Sequence, residues 1–283
     1  MDSTALHDVL TEVQGWEPET VAVGVTDRTA TVATNGPLDR RLWLASVTKP
    51  LSAYGVLLAA ADGYLRLDEP VEVPGTFEEV TVRHLLAHAG GLAATPGGNH
   101  RAPAQRRIYA DWGYGVLSEL VEQRVGLPFA DHLAIEVFEP LGMARTTLEG
   151  AAGHGGRGTV GDLLRFAREL LAPTLLPAAL LTEASRVAYP GLEGVVPGYG
   201  RRSPNDWGLG FEIKGSKDDH WMGRLLPPEA FGHFGRSGSF LWVDPTRGVA
   251  AAELADKEFG PWAREVWGDF NDRVVAALDA HGS

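Results

Sequence analysis

Residues 46–61, SVTKPLSAYGVLLAAA, carry the tightest constraint in the chain. Apolar side chains lie nearly all round the helix this run predicts. Such a helix must be wrapped by other elements on most of its sides. Pro50 has no N–H to give to the carbonyl one turn back and is tolerated only within about the first turn. The helix is therefore expected to begin near Ser46 and to end at about Ala61, before the C-cap signal Asp62-Gly63. Residues three apart share a helix face, so Ser46 and Lys49 should stand side by side at its N-terminus. That end carries partial positive charge and free backbone N–H groups.

A lysine at the mouth of a buried helix invites a chemical reading. Of the 25 basic residues, Lys49, Lys214, Lys217 and Lys257 are lysines and the rest are arginines. Arginine keeps its proton in a protein, whereas lysine can lose it. The helix field and burial disfavour the ammonium, and a neutral Lys49 can accept the proton of Ser46. The other three lysines have ordinary polar sequence surroundings.

The rest of the composition bounds the partners. A net charge of −12 and a pI near 5.2 disfavour nucleic acid or anionic membrane. There is no cysteine, hence no disulfide and no thiolate metal site. The opening MDSTALHDVL lacks a basic segment followed by an apolar one, and no apolar stretch reaches about 18 residues. A cytoplasmic protein is the expectation.

Helix is predicted over residues 3–14, strand over 19–27 and 29–36, and a short extended entry over 41–44. Helices follow over 80–92, stopped by Gly90-Gly91, then over 113–126 and 159–172. Residues 190–206 read as loop, strand character returns over 207–213, 231–238, 239–245 and 248–256, and helix closes the chain over 262–280. Strands at both ends with helices between them give an α+β class: one antiparallel sheet from both termini, flanked by helices. The expected division of the single domain 1–283 is a sheet subdomain over about 1–65 and 207–283, with a mostly helical subdomain inserted over about 66–206.

With these segments in place, the chain resembles the serine β-lactamase-like superfamily, in its class C-like esterase and D-peptidase branch. The resemblance runs from about residue 20 to 256, through LASVTKPLSAYGVLLAAADGYLRLDEPV, TVRHLLAHAGGL, VFEPLGMARTTL, GTVGDLLRFARELL and GHFGRSGSFLWVDP. It implies a site in the cleft between sheet and helical subdomain. It implies Ser46 as the acylated nucleophile and Lys49 as its partner. Tyr109-Ala110-Asp111 matches the family's Tyr-x-Asn element, making Tyr109 the phenolic proton relay, provided that Lys49 lowers its pKa. His233-Phe234-Gly235 matches the third element, with Gly235 allowing close approach and the N–H of Arg236 joining that of Ser46 as oxyanion donors.

Two positions depart from the family pattern. Asp111 stands for asparagine; a carboxylate only accepts hydrogen bonds, and it should pair with Lys49 and hold it protonated. His233 stands for lysine and is mostly neutral at pH 7 unless shifted, which favours esters over carboxylate-bearing β-lactams; Arg236 or Arg202 would restore the charge. The implied activity is that of a cofactor-free, carboxylesterase-like serine hydrolase acting through an acyl-enzyme on small ester or amide substrates. A β-lactamase or D-amino-acid peptidase, and a non-catalytic binding protein on the same scaffold, stand as alternatives. Trp112, Trp221 and Trp242 lie close in sequence to the second and third motifs and are candidates for the cleft, with core packing as the competing reading. Residues 214–229 are too long for a tight hairpin and are expected to form a lip over the cleft. His84 and His88 have the spacing of a zinc pair but lack the His-Glu-x-x-His pattern, so no metal is assigned. The glycines of 153–158 read as a plain turn.

Overall fold

A computed structural model describes residues 4–75 and 79–280. Six antiparallel strands form the main sheet: β1 (Val21–Asp27), β2 (Thr31–Asn35), β3 (Glu212–Ile213), β4 (Phe231–Gly235), β5 (Ser239–Asp244) and β6 (Val249–Ala255). Their spatial order is β3-β4-β5-β6-β1-β2. The two halves of the chain meet where β1 pairs with β6, from Val21 opposite Ala255 to Asp27 opposite Val249. The α+β sheet built from both termini is thus observed.

Both faces of this sheet are covered. Leu241, Val243, Ala252 and Leu254 point into one core, whereas Phe240, Trp242, Ala251 and Ala255 point into a second. Alternate residues of a strand face opposite sides, so burying both faces makes these strands apolar throughout. The second core lies under α1 (Thr4–Thr11) and the closing helix, here α5 (Pro261–Asp279). The first core contains α2 (Thr48–Ala61), α3 (Trp112–Val125) and α4 (Val160–Leu171). Leu51, Val56 and Leu57 of α2 are fully buried, each contributing about 1.5–3 kcal/mol. Tyr54 of α2 meets Phe166 of α4 edge-on at 5.4 Å, and its hydroxyl donates to Glu169 Oε1 at 2.6 Å. A Cβ on Gly24 of β1 would come within 2.6 Å of Leu164 Cδ1, so this glycine lets α4 lie close on the sheet.

Several boundaries differ from expectation. The first helix ends at Thr11 and continues as a 3-10 turn, Glu12–Gly15; Ser3, its predicted first residue, lies outside the described residues. Helix α2 begins at Thr48, with Ser46 in a separate 3-10 turn, Ala45–Val47. The helix expected over 80–92 is confined to Val82–Leu86, because His88 adopts a left-handed φ of 52° before the glycines are reached. Residues 190–206 contain a small hairpin of Gly194–Val196 and Gly200–Arg202. Helix α4, inside the expected helical subdomain, packs directly on β1, β5 and β6. The 65/66 and 206/207 divisions therefore do not separate sheet-packed from cleft-forming elements.

Residues 214–229 form no free lip. Trp221, Met222 and Leu226 are buried in the second core. Lys217, expected in polar surroundings, is buried with its Nζ 3.6 Å from Glu212 Oε1, beside His220 Nε2 at 3.0 Å from the same oxygen. The polar and charged run at 214–220 hid this inward fold.

Glu253 of β6 is fully buried, and neither of its carboxyl oxygens has a partner among the described residues. Burial pushes its pKa well above the usual carboxylate range. A raised folded-state pKa stabilises the protein below the unfolded value and costs stability as pH rises above it. Glu253→Gln removes that ionisation, so it should be more stable than the parent by about 1–3 kcal/mol near pH 8, the gap closing towards pH 5. Urea unfolding at both pH values checks this; an equal difference at the two would refute it.

Candidate active site

The turn that carries Ser46 is clamped from two directions. Leu44 N–H donates to Gly156 O, and Gly156 N–H donates to Thr48 Oγ1, each at 2.9 Å. From the sheet, Ser239 Oγ donates to Leu44 O at 2.9 Å. Gly235 closes the gap: a Cβ there would sit 2.5 Å from Leu44 O and 3.2 Å from Ala45 Cβ. Ala45 itself is held at a φ of 44°, a left-handed conformation that costs a non-glycine residue about 1–2 kcal/mol. Strained backbone of this kind persists only where its surroundings over-determine it.

Two side chains converge on the hydroxyl of Ser46, and a third stands behind one of them. Lys49 Nζ lies 3.1 Å from Ser46 Oγ, and the Tyr109 hydroxyl donates to the same oxygen at 2.7 Å. Lys49 Nζ also stands over the Tyr109 ring, 4.5 Å from its centroid. His233 Nε2 is 3.4 Å from the Tyr109 hydroxyl. The His233 Nδ1 lies 2.6 Å from Phe234 O. A carbonyl only accepts, so Nδ1 carries the proton and Nε2 presents a lone pair to Tyr109. Ser46 is half-buried and the Asp111 side chain is 46% exposed, so the cluster opens to solvent.

Charge in the cluster is set by burial. Lys49 is completely buried, and desolvation lowers its pKa to about 8 against the pull of Asp111, which favours the ammonium. The Lys49 ammonium is bonded to Asp111 Oδ1 and, at 2.8 Å, to Gly153 O. Asp111 thus sits on the lysine, as expected from its place in the motif. Burial, helped by Lys49, lowers His233 to about 4, so its imidazole is neutral. Tyr109 departs from expectation. Burial and then the charge of Asp111 push its pKa well above the ordinary phenol value, and the buried ammonium does not reverse this. The phenol is a proton donor here, and Lys49 is the group that titrates near neutrality.

Of the other expected site residues, Trp112 half-lines an open groove beside Asp111, its Nε1–H donating to Ala93 O at 2.9 Å. Trp221 and Trp242 do not reach the cleft. Both are fully buried on the far face of the sheet, with Trp242 Nε1 donating to Asn271 Oδ1 at 2.8 Å and Trp221 Nε1 to Glu212 Oε2 at 2.9 Å. Closeness in sequence misled, because along β5 Trp242 has the parity of Phe240 rather than of Leu241. The Arg236 guanidinium is exposed and lies 3.4 Å from Glu258. His84 Nδ1 caps Thr81.

Two contributors were not found from sequence. The carbonyl of Gly153 holds Lys49, and the buried ring of His88 packs 4.6 Å from Tyr109 while Nδ1 accepts from Ala110 N–H at 3.3 Å. Just upstream, the buried Arg107 guanidinium donates to the carbonyls of Ala87, Ala188, Tyr189 and Asn205. A carbonyl leaves no trace in a side-chain pattern. The only available sign of Gly153 was a glycine-rich turn that reads equally well as a connector.

Comparison with known proteins identifies the family. The family model described as Beta-lactamase matches residues 12–276. The crystal structure of a β-lactamase from Mycobacterium bovis is 43% identical, with a TM-score of 0.91 over 95% of this chain and 99% of that one. A hydrolase with promiscuous acyltransferase activity, EstCE1, shares the fold at a TM-score of 0.79 and 15% identity, over 96% of this chain and 98% of its own. Penicillin-binding protein 4* of Bacillus subtilis (strain 168) is 29% identical over 132 residues, 36% of this chain; the match spans only 29% of that longer protein. By the family match over nearly its whole length, the chain belongs to the β-lactamase family and has that family's serine-hydrolase fold.

Proposed function

We propose that the protein hydrolyses carboxylic esters through an acyl-enzyme on Ser46. The observation that carries this reading is the convergence of the Tyr109 hydroxyl and Lys49 Nζ on Oγ of the half-buried Ser46, at 2.7 and 3.1 Å. Ser46 Oγ attacks the ester carbonyl, and its proton passes to the neutral fraction of Lys49. The backbone N–H groups of Ser46 and Arg236 take up the charge on the carbonyl oxygen. As the bond to the leaving alcohol breaks, Tyr109 gives its proton to the departing oxygen, and the proton on Lys49 restores the phenol. Water attacks the acyl carbon by the same steps in reverse and frees Ser46.

Esters are favoured because, among the described residues, the cluster offers no free fixed cation to a carboxylate. His233 is neutral, Lys49 is engaged by Asp111, and Arg236 is turned to Glu258. The Arg202 guanidinium donates to the carbonyls of Asp218 and Asp219. A second reading, β-lactam hydrolysis, draws on the 43% identity to a protein described as a β-lactamase. Turnover of p-nitrophenyl butyrate with about a hundred-fold lower kcat/KM for nitrocefin is expected; faster nitrocefin hydrolysis would reverse the order of the two readings. A fluorophosphonate should label the parent and not Ser46→Ala. An unlabelled parent would leave a binding protein on a hydrolase scaffold.

The pair of Lys49 and Asp111 sets the pH dependence. With the lysine near 8, kcat/KM should rise with pH through that region as the amine becomes neutral. Asp111→Asn removes the charge that favours the ammonium, so the acid limb should move down by about one unit and the rate near pH 6 should rise several-fold. A pH–rate profile with an unmoved acid limb would rule out Lys49 as the base restrained by Asp111.

A further inference from the structure

A groove of about 790 Å³ lies beside the reactive cluster, with Asp111 in its lining. One wall is an apolar stripe on α3: Trp112, Val116 and Leu120 recur every fourth residue and are half-buried. Val71, Pro74, Ala94 and Pro96 also line the groove. Asp111, the residue that holds Lys49, is one of the residues that line it. Ala151 and His154, also in the lining, flank Gly153, whose carbonyl accepts from Lys49. Groove and reactive cluster therefore share a wall.

The charge of the groove is one-sided. Glu72 and Glu119 are exposed at its edge, and neither has a basic partner among the described residues. Arg124 also lines the groove, but its guanidinium donates to Glu69 Oε1 at 2.9 Å. An apolar trough with carboxylates at its edge attracts a chain that is greasy along its length and cationic at its end, and repels one ending in a carboxylate.

We propose that this groove takes an aliphatic chain of the substrate that ends in an amine. The proposal rests on the hydrolase reading of Ser46 and names the substrate class for it. Each methylene that the α3 stripe takes out of water is worth about a four-fold gain, so chain length should be felt directly in kcat/KM.

The test compares p-nitrophenyl esters of acetate, octanoate and 8-aminooctanoate, and, in parallel, acetate esters of ethanol, octanol and 8-aminooctanol. The series that responds identifies which side of the scissile bond occupies the groove. In that series the eight-carbon chain should raise kcat/KM about ten-fold or more, and the terminal amine about three-fold further. Val116→Trp fills the trough and should cut the long-to-short ratio about ten-fold. The double variant Glu72→Gln/Glu119→Gln should abolish the amine preference and keep the chain-length effect. Calorimetric titration with octylamine reads the groove without turnover, and Val116→Trp should weaken that binding. Labelling of Ser46 by a fluorophosphonate, with no chain-length effect in either series and no octylamine binding, overturns the groove proposal alone. Octylamine binding sensitive to Val116→Trp, with Ser46 unlabelled, overturns the hydrolase reading alone.

Discussion

The complete burial of the Lys49 amine is the constraint on which the site depends. An unpaired ammonium in a dry interior is expensive, and a protein either pairs it or lets it lose its proton. Here both occur in part. Asp111, Gly153 O and Ser46 Oγ surround the nitrogen, while desolvation brings its pKa down to about 8. A lysine in water near neutral pH holds almost no neutral amine, and one fully compensated by Asp111 would hold no more. Desolvation exceeds the compensation by enough to supply a base near neutrality. The opposition of the two effects, rather than either alone, makes the serine addressable.

The same burial fixes what the fold must be. Helix α2 brings Lys49 inside only because it is itself enclosed, by α3, by the helical turns Phe129–Leu133 and Ala134–Phe138, by β4 of the sheet, and by α4 where Tyr54 meets Phe166. The sheet can serve as that backing because its other face is covered by α1 and α5, with Trp262, Trp267 and Phe270 filling the second core. The site thus sits at the front of a stack of buried layers. His233 and Gly235, of like parity on β4, present the sheet to the cluster, while Phe234 between them belongs to the second core.

What the sequence made legible follows physical scale. Strands buried on both faces, the nearly all-apolar α2, and caps such as Thr159 before α4 and Gly126 after α3 each leave a local mark, and these elements were found close to their true limits. The pairing of Ser46 with Lys49 followed from helix spacing, and Tyr109, Asp111 and His233 from motif resemblance. Other features have no local mark. Ser46 lies in a 3-10 turn rather than the first turn of α2 because its neighbours clamp Leu44 and hold Ala45 left-handed. The direction of Trp221 and Trp242 depends on strand parity and on a long inward-folded segment. The elevated pKa of Tyr109 depends on burial by His88 and Trp207, contacts across many residues of chain.

The cluster is drawn from four separate stretches, 46–49, 109–111, 153 and 233–235, and no single element holds them in register. The stretch carrying Tyr109 and Asp111 precedes α3 in irregular backbone, where loop entropy would ordinarily leave its position loose. Arg107 supplies the restraint. Among the described residues its guanidinium is buried without a carboxylate in contact and gives its donors to four carbonyls from three other loops. Fixed planar donors suit that task better than a flexible ammonium. Two residues later, Tyr109 is caught between the rings of His88 and Trp207, at 4.6 and 5.9 Å. A buried arginine that binds only backbone is therefore as much a condition of the chemistry as the lysine: one sets where the phenol stands, the other whether the serine can lose its proton.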